Sequence, residues 1–338
     1  MIAHLDKKIS KEELQETLSK IGKLGIKSHV VGNGKPNKIV LLGKTAGLED
    51  EIRKLPGITG IVNTTKTYQL ASRETKEENT TIKIKDIIIG GDGIVIMAGP
   101  CSVESKEQIL RIAKSIKISG GHFLRGGAYK PRTAPYDFQG LEKIGLAFLK
   151  HAAEATNLRL ITEVMDPRDV ELIARFTDIF QVGTRNMQNY SLLKELGKTR
   201  TPVLLKRGMW ASYKEFLLAA EYILAGGNMQ VILCERGIRT HVQELRFNLD
   251  LNAIPYLKKE SHLPVVVDPS HGTGRRDLVR AMSRAAIAAG ADGLIIETHY
   301  DPETSISDAD QTISLTEFDQ LVKEVGLIAQ AVGRNLHG

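Results

Sequence analysis

Ten chemically competent residues stand at or just past the ends of short apolar runs: Cys101, Arg125, Glu163, Arg185, Lys206, Glu235, Arg236, Asp268, His271 and Glu297. Lys130 and Arg132 follow closely behind Arg125, so the cations number six: Arg125, Lys130, Arg132, Arg185, Lys206 and Arg236. The planar fork of arginine makes two parallel hydrogen bonds to phosphate or carboxylate. Six like charges brought to one place repel one another unless anions lie between them. Glu163 and Glu235 are expected to supply part of that compensation. The rest implies a ligand with more than one anionic group. Taken singly, each cation reads equally well as a solvated surface charge or an ion-pair partner. What argues for a site is that separate apolar runs deliver all of them.

Cys101, His271, Glu297 and Asp308 form a second group. A thiolate, an imidazole and two carboxylates make a mixed sulfur, nitrogen and oxygen set able to hold a divalent transition metal. No CxxC or HxxxH pair marks the set, and a free cysteine is more often a core residue. Asp301 and Asp310 share the polar loop of Asp308. His299, two residues beyond Glu297, belongs to the same strand face and is expected to hydrogen-bond near the site. Gly126, Gly127, Gly183 and Gly208 flank the cations. They read as tight turns or as close backbone approach to a phosphate.

The elements that must position these residues follow from the runs themselves. IVIMAGPC, HFLRGG, RLITEV, IFQVGTR, PVLLKRG, VILCERG, PVVVDPSH and LIIETH read as eight strands. Stretches of helical spacing separate them, such as Lys106 to Ile118 and Tyr213 to Leu224. This alternation predicts a (β/α)8 TIM barrel over residues 81–338, with its chemistry at the carboxyl ends of the strands. Thr81 to Ile89 alternates and ends in glycines, and is expected to plug the barrel floor.

Residues 1–70 read differently. A strand Met1 to Leu5, a helix capped by Ser10, a hairpin around Gly32-Asn33-Gly34, a helix Leu48 to Leu55 and a strand from Ile58 give the order βαββαβ. That order predicts a ferredoxin-like domain. Residues 71–80 (ASRETKEENT) read as a linker.

Bulk properties narrow the function. The 338 residues suit one barrel and one small domain. The formal charge is +6, yet no run of five or six basic residues exists, which argues against nucleic acid. No apolar run approaches the roughly 20 residues of a membrane span. The charged start lacks a secretory core, and Cys101 and Cys234 are expected to be reduced, so a cytoplasmic protein is expected.

The segments AGPCSVES (98–105), LRGGAYKPRTAPYDFQG (124–140), QVGTRNMQN (181–189), LLKRG (204–208), ILCERGIRT (232–240), VVVDPSHGTGRRD (265–277) and IIETH (295–299) resemble the 3-deoxy-D-arabino-heptulosonate 7-phosphate (DAHP) synthase family. The likeness is to its type I enzymes of the short bacterial and archaeal branch, some of which carry an N-terminal ferredoxin-like regulatory domain. The resemblance implies condensation of phosphoenolpyruvate (PEP) with erythrose 4-phosphate, at the head of the shikimate route to aromatic amino acids. It implies one divalent metal ion (Mn, Fe, Zn, Co or similar) on Cys101, His271, Glu297 and Asp308. It places Arg125, Lys130, Glu163, Arg185, Lys206 and Arg236 around PEP, and Arg132 and Thr133 at erythrose 4-phosphate. Lys130 and Glu163 take catalytic roles, as proton donor and water-positioning group. It further implies a homo-oligomer, a tetramer in this branch, and a Tyr or Phe effector on the N-terminal domain. The octulosonate 8-phosphate synthases, which pair PEP with arabinose 5-phosphate, are the near alternative. KPRT (130–133) favours the four-carbon aldehyde, since those relatives carry an Asn-containing KANRS-like segment there.

Overall fold

A computed structural model describes residues 1–32, 36–132 and 134–337. The chain divides into two compact units, Met1–Glu78 with Glu260–His262, and Asn79–Lys259 with Leu263–Gly338.

The first unit runs β1 (Ile2–Leu5), α1 (Lys11–Lys23), β2 (Lys27–Val31), β3 (Lys38–Leu42), α2 (Glu49–Arg53) and β4 (Ile58–Val62). The sheet order is β2-β3-β1-β4, and the pairs are antiparallel. Ser10 starts α1 through a capping box, in which its hydroxyl accepts from Glu13 N and the Glu13 carboxylate accepts from Ser10 N. Met1, with the alternate residues Ala3 and Leu5 of β1, meets Ile21 of α1 and Ile39 and Leu41 of β3 in the core. Of the expected turn between β2 and β3, Asn33 and Gly34 lie outside the described residues.

The second unit opens with a hairpin, β5 (Ile82–Ile84) and β6 (Ile87–Ile89). Eight parallel strands follow: β7 (Gly93–Gly99), β8 (Phe123–Arg125), β9 (Arg159–Glu163), β10 (Ile179–Val182), β11 (Val203–Lys206), β12 (Val231–Glu235), β13 (Val265–Val267) and β14 (Gly293–His299). Each pairs with the next, and β14 pairs with β7, so the ring is closed. The intervening helices include α3 (Lys106–Ile118), α4 (Glu142–Thr156), α5 (Val170–Ala174), α6 (Tyr190–Gly197), α7 (Tyr213–Ala225), α8 (Ala253–Glu260), α9 (Pro269–Thr273), α10 (Arg276–Ala288) and α11 (Leu315–Ala331). The strands are covered on both faces, which is why they are near-continuous Val, Ile and Leu.

Ile82, Ile84, Ile87 and Ile89 of the hairpin join Val95, Met97, Phe123, Ile161, Leu204, Ile232 and Val266 of the ring in one buried cluster. Its turn is tied by an Asp86–Arg159 ion pair to the first residue of β9. The hairpin therefore closes the amino-terminal end of the ring, leaving the carboxyl ends for chemistry. Among the described residues no helix is long and apolar enough to cross a membrane.

Candidate active site

Strand register brings the polar ends together. Glu297 of β14 is the partner of Gly99 on β7, so Cys101 stands two residues beyond that level. Cys101 Sγ donates to Asp308 Oδ2 at 3.1 Å. The ligand atoms of Cys101, Glu297 and Asp308 all lie within 4.8 Å of one another. His271 reaches the same cluster, with Nε2 3.5 Å from Glu297 Oε1. Asp308 sits in the left-handed region (φ 52), a conformation that Asp tolerates better than most residues. Asp301 and Asp310 are not members of the cluster.

Cations hold this anionic cluster. Lys130 Nζ donates to Cys101 Sγ at 3.0 Å and to Cys101 O at 2.8 Å. Arg125 Nη1 donates to Glu297 Oε1 at 2.7 Å, and Gln311 Nε2 to Glu297 Oε2 at 2.6 Å. Burial pushes the Cys101 thiol up to about 12, reinforced by Glu297 and opposed by Lys130. Burial works against the charges on Glu297 and Arg125 as well. For Glu297 the field of His271 and Arg125 outweighs burial and holds the carboxyl below its usual range. For Arg125 the Glu297 charge outweighs it and raises the guanidinium further. Asp308 likewise overcomes burial, through His271 and hydrogen bonds from Cys101 and Arg246, and lies well below the carboxylate range.

Asp268 orients His271. His271 Nδ1 and Lys206 Nζ both reach Asp268 Oδ2, at 2.7 and 2.5 Å, and His271 N donates to Asp268 Oδ1 at 2.9 Å. A carboxylate only accepts, so Nδ1 carries the proton and Nε2 is left to face Glu297 and the cluster. Burial opposes ionisation of Asp268, but His271 and Lys206 hold it well below the carboxylate range.

Above the cluster is a cleft of about 220 Å³. All six expected cations line it, together with Glu163, His271 and Asp308. Arg236 is buried, its guanidinium lies 3.9 Å from the Phe247 ring centroid, and its Nε has no hydrogen-bond partner among the described residues. Burial lowers its pKa. A buried guanidinium with a spare donor is a receptor for an anion. Glu163 Oε2 accepts from Gln181 Nε2 at 3.2 Å. Arg132 donates from Nε to Phe138 O at 3.0 Å and from Nη2 to Ser307 Oγ. Thr133 lies outside the described residues.

One expectation needs correction. Glu235 does not compensate the cleft cations: it is buried against Arg207 (2.9 Å) and accepts from Gly237 N (2.6 Å). Successive residues of a strand end point to opposite sides; Arg236 lines the cleft and Glu235 does not. Asp268, Glu297 and Asp308 supply the countercharge instead. His299 does not line the cleft but hydrogen-bonds beside it, as expected: it meets Gln108 Nε2 (3.2 Å), which also donates to Ser102 O next to Cys101, it bonds Asp301 O (2.7 Å), and it stacks on Tyr300. Five polar cleft residues went unread from sequence: Asp137, Gln181, Thr184, Arg239 and Arg246. Gln181 had a signal, a polar residue inside the apolar run IFQVG; Arg246, deep in a long loop, had none. Cys101 and Cys234 are both free.

Fold and cleft together define a (β/α)8-barrel enzyme with a mouth built for anions. The chain belongs to the DAHP synthetase I family, which it matches over residues 72–331. It is 42% identical over 334 residues to the phospho-2-dehydro-3-deoxyheptonate aldolase of Thermotoga maritima, covering 98% of this chain and 99% of that one. A crystal structure of the Thermotoga maritima DAHP synthase superposes with a TM-score of 0.80 over 99% of this chain and 98% of its own. The 2-dehydro-3-deoxyphosphooctonate aldolase of Syntrophotalea carbinolica is 28% identical over 275 residues, covering 75% of this chain and 98% of that one.

Proposed function

We infer that this chain is a DAHP synthase: it condenses PEP with erythrose 4-phosphate and water, giving DAHP and phosphate. The observation that carries the reading is a cleft lined by eight cations, among them all six expected ones, that Asp308 shares with the Cys101, Glu297 and Asp308 cluster. PEP carries a phosphate and a carboxylate, and Arg125, Lys130, Arg185, Lys206 and Arg236 match those charges. Arg132 and, next in the sequence, Thr133 take the phosphate of the aldehyde. The near full-length likeness to the Thermotoga enzyme favours this reaction over the octulosonate 8-phosphate synthesis of the 28% relative.

The residues fit a divalent transition metal, because a thiol and two carboxylates converge with one ligand atom each and the His271 imidazole lies 3.5 Å from one of those carboxylates. Cys101, His271, Glu297 and Asp308 would hold the ion, which would supply Lewis-acid polarisation of the aldehyde oxygen. The protein does the rest. Its cations fix PEP so that C3 faces the aldehyde carbon, and holding both partners in line replaces an improbable collision. As the C–C bond forms, Lys130 Nζ, anchored beside Cys101, gives a proton to the oxygen of the former aldehyde. Glu163, steadied by Gln181, orients the water that adds at C2. Phosphate then leaves by C–O cleavage into the cationic cleft.

The βαββαβ order of the first unit supports reading residues 1–70 as a ferredoxin-like regulatory domain that takes Tyr or Phe, joined through 71–80 to the catalytic barrel 81–338. The family resemblance supports a cytoplasmic homo-oligomer. Release of phosphate from PEP with erythrose 4-phosphate, followed with and without a chelator, tests the reading. Loss on chelation and recovery with Mn or Co is expected, and added Tyr or Phe should inhibit. Strong preference for arabinose 5-phosphate would overturn the assignment.

A further inference from the structure

Two hydroxyls join the loops that bear Cys101 and Asp308. Ser102 and Ser307 are both buried, and their Oγ atoms lie 2.9 Å apart across a sequence separation of 205 residues. Each is the chain neighbour of a cluster residue: Ser102 follows Cys101 and Ser307 precedes Asp308. Their hydroxyls bond each other and Arg132, and neither is a member of the ligand cluster, so metal binding alone does not require them. The pair is itself held from both sides. Gln108 Nε2 donates to Ser102 O at 3.2 Å and meets His299 Nε2, while Ser305 Oγ donates to Ser307 O at 2.9 Å. Arg132 Nη2 donates to Ser307 Oγ, and Arg132 Nε is fixed on Phe138 O.

One hydroxyl thus receives the guanidinium that lines the cleft and, through the next peptide, sets the loop of Asp308. A phosphorylated aldehyde must reach from the Cys101–Asp308 cluster to a cation with its two ends at once. On the reading given above, from which this inference follows, those ends lie at the cluster and at Arg132. The separation between them is carried by the Arg132–Ser307–Asp308 link and braced by Ser102. We propose that Ser102 and Ser307 form a clasp that registers the metal cluster against Arg132, making Ser307 a positioning residue that selects the length of the aldehyde substrate. Their oxygens do no chemistry; they set where two other groups stand.

The full-length enzyme with Ser307→Ala, and separately with Ser102→Ala, tests this. A hydrogen bond to a charged group is removed in the first, so KM for erythrose 4-phosphate should rise about tenfold. KM for PEP should stay within about twofold, and the preference for erythrose 4-phosphate over arabinose 5-phosphate should narrow. Ser102→Ala should act in the same direction and more weakly, and it serves if Ser307→Ala does not fold. Cobalt(II) titration, read by the thiolate-to-cobalt absorption of Cys101, should show affinity lowered by about tenfold in Ser307→Ala, as for other residues that orient ligands. Unchanged KM values, a parallel rise in both, or an unaltered cobalt titration overturns the clasp. Wild-type enzyme that fails to turn over erythrose 4-phosphate would sink the functional reading instead, and the cobalt titration would still judge the clasp.

Discussion

At the scale of single residues, Gly183 shows how the site makes room for its own carboxylate. Its backbone is ordinary (φ −67), so freedom at positive φ is not the reason for glycine. A Cβ there would stand 2.1 Å from Glu163 Oε1 and 2.9 Å from its Cδ. The carboxylate would have to move, and Gln181 with it. Gly183→Ala should therefore keep its thermal midpoint and lose about a hundredfold in kcat, the usual cost of misplacing a reacting group by an ångström. Wild-type kcat in this variant would mean that Glu163 does not act from the place it occupies. The sequence suggested a turn or an approach to phosphate for this glycine; Gly183 does open the turn Thr184–Asn186 and line the cleft, and its closeness to Glu163 is a further reason that spacing does not show. The residue types at the strand ends were legible because apolar runs stop there. Which way each points was not, and hence Glu235 was misread. The choice of Asp308 over Asp301 and Asp310 depended on loop conformation, which sequence spacing does not encode.

At the scale of elements, the junction of β13 and α9 concentrates three tasks in Asp268. It accepts from His271 N at the start of α9, from His271 Nδ1, and from Lys206 Nζ at the end of β11. Both Asp268 and Lys206 are nearly fully buried. Removing one partner of a buried pair leaves an uncompensated charge and costs about 3–5 kcal/mol. Asp268→Asn should lower the stability of the second unit by that amount in urea unfolding at neutral pH. A change below about 1 kcal/mol would show that Lys206 finds another partner or that the site is wetter than its burial implies. The helices themselves were readable. Ser10, Ser212 and Ser314 each stand three residues before a glutamate, and each forms a capping box. The hairpin of β5 and β6 was readable as an alternating isoleucine run, and burial of one end of the ring gives such a run its place. The Asp268 link was not readable, because it joins residues 62 apart that only ring closure brings together.

At the scale of the whole molecule, the chain forms two units, and the boundary does not follow the sequence strictly. Glu260–His262, the last residue of α8 and the two that follow it, belongs with residues 1–78. His262 is buried there, with Nε2 2.7 Å from Leu70 O. Burial, aided by Lys76 and Arg73 and opposed by the Leu70 bond, lowers its pKa from 6.5 to about 4. The folded state thus binds this proton less readily than the unfolded chain. As the pH falls through 6.5 the unfolded chain protonates first, and stability drains away until the folded value near 4 is reached. At 1.36 kcal/mol per unit, the loss across that window is about 3 kcal/mol. Amide protection in the first unit, corrected for intrinsic exchange rates, should fall accordingly between pH 7 and pH 4. His262→Gln should flatten that dependence, since its amide can still donate to Leu70 O without acquiring charge. Equal pH slopes in the two proteins would assign the effect to the carboxylates of the unit and not to this imidazole. A linear reading of the chain assigned residues 81–338 to the barrel alone. The three residues that join the first unit show why composition could not mark that boundary: a buried histidine beside a backbone carbonyl is a tertiary fact, set by which surfaces meet and not by the residues on either side.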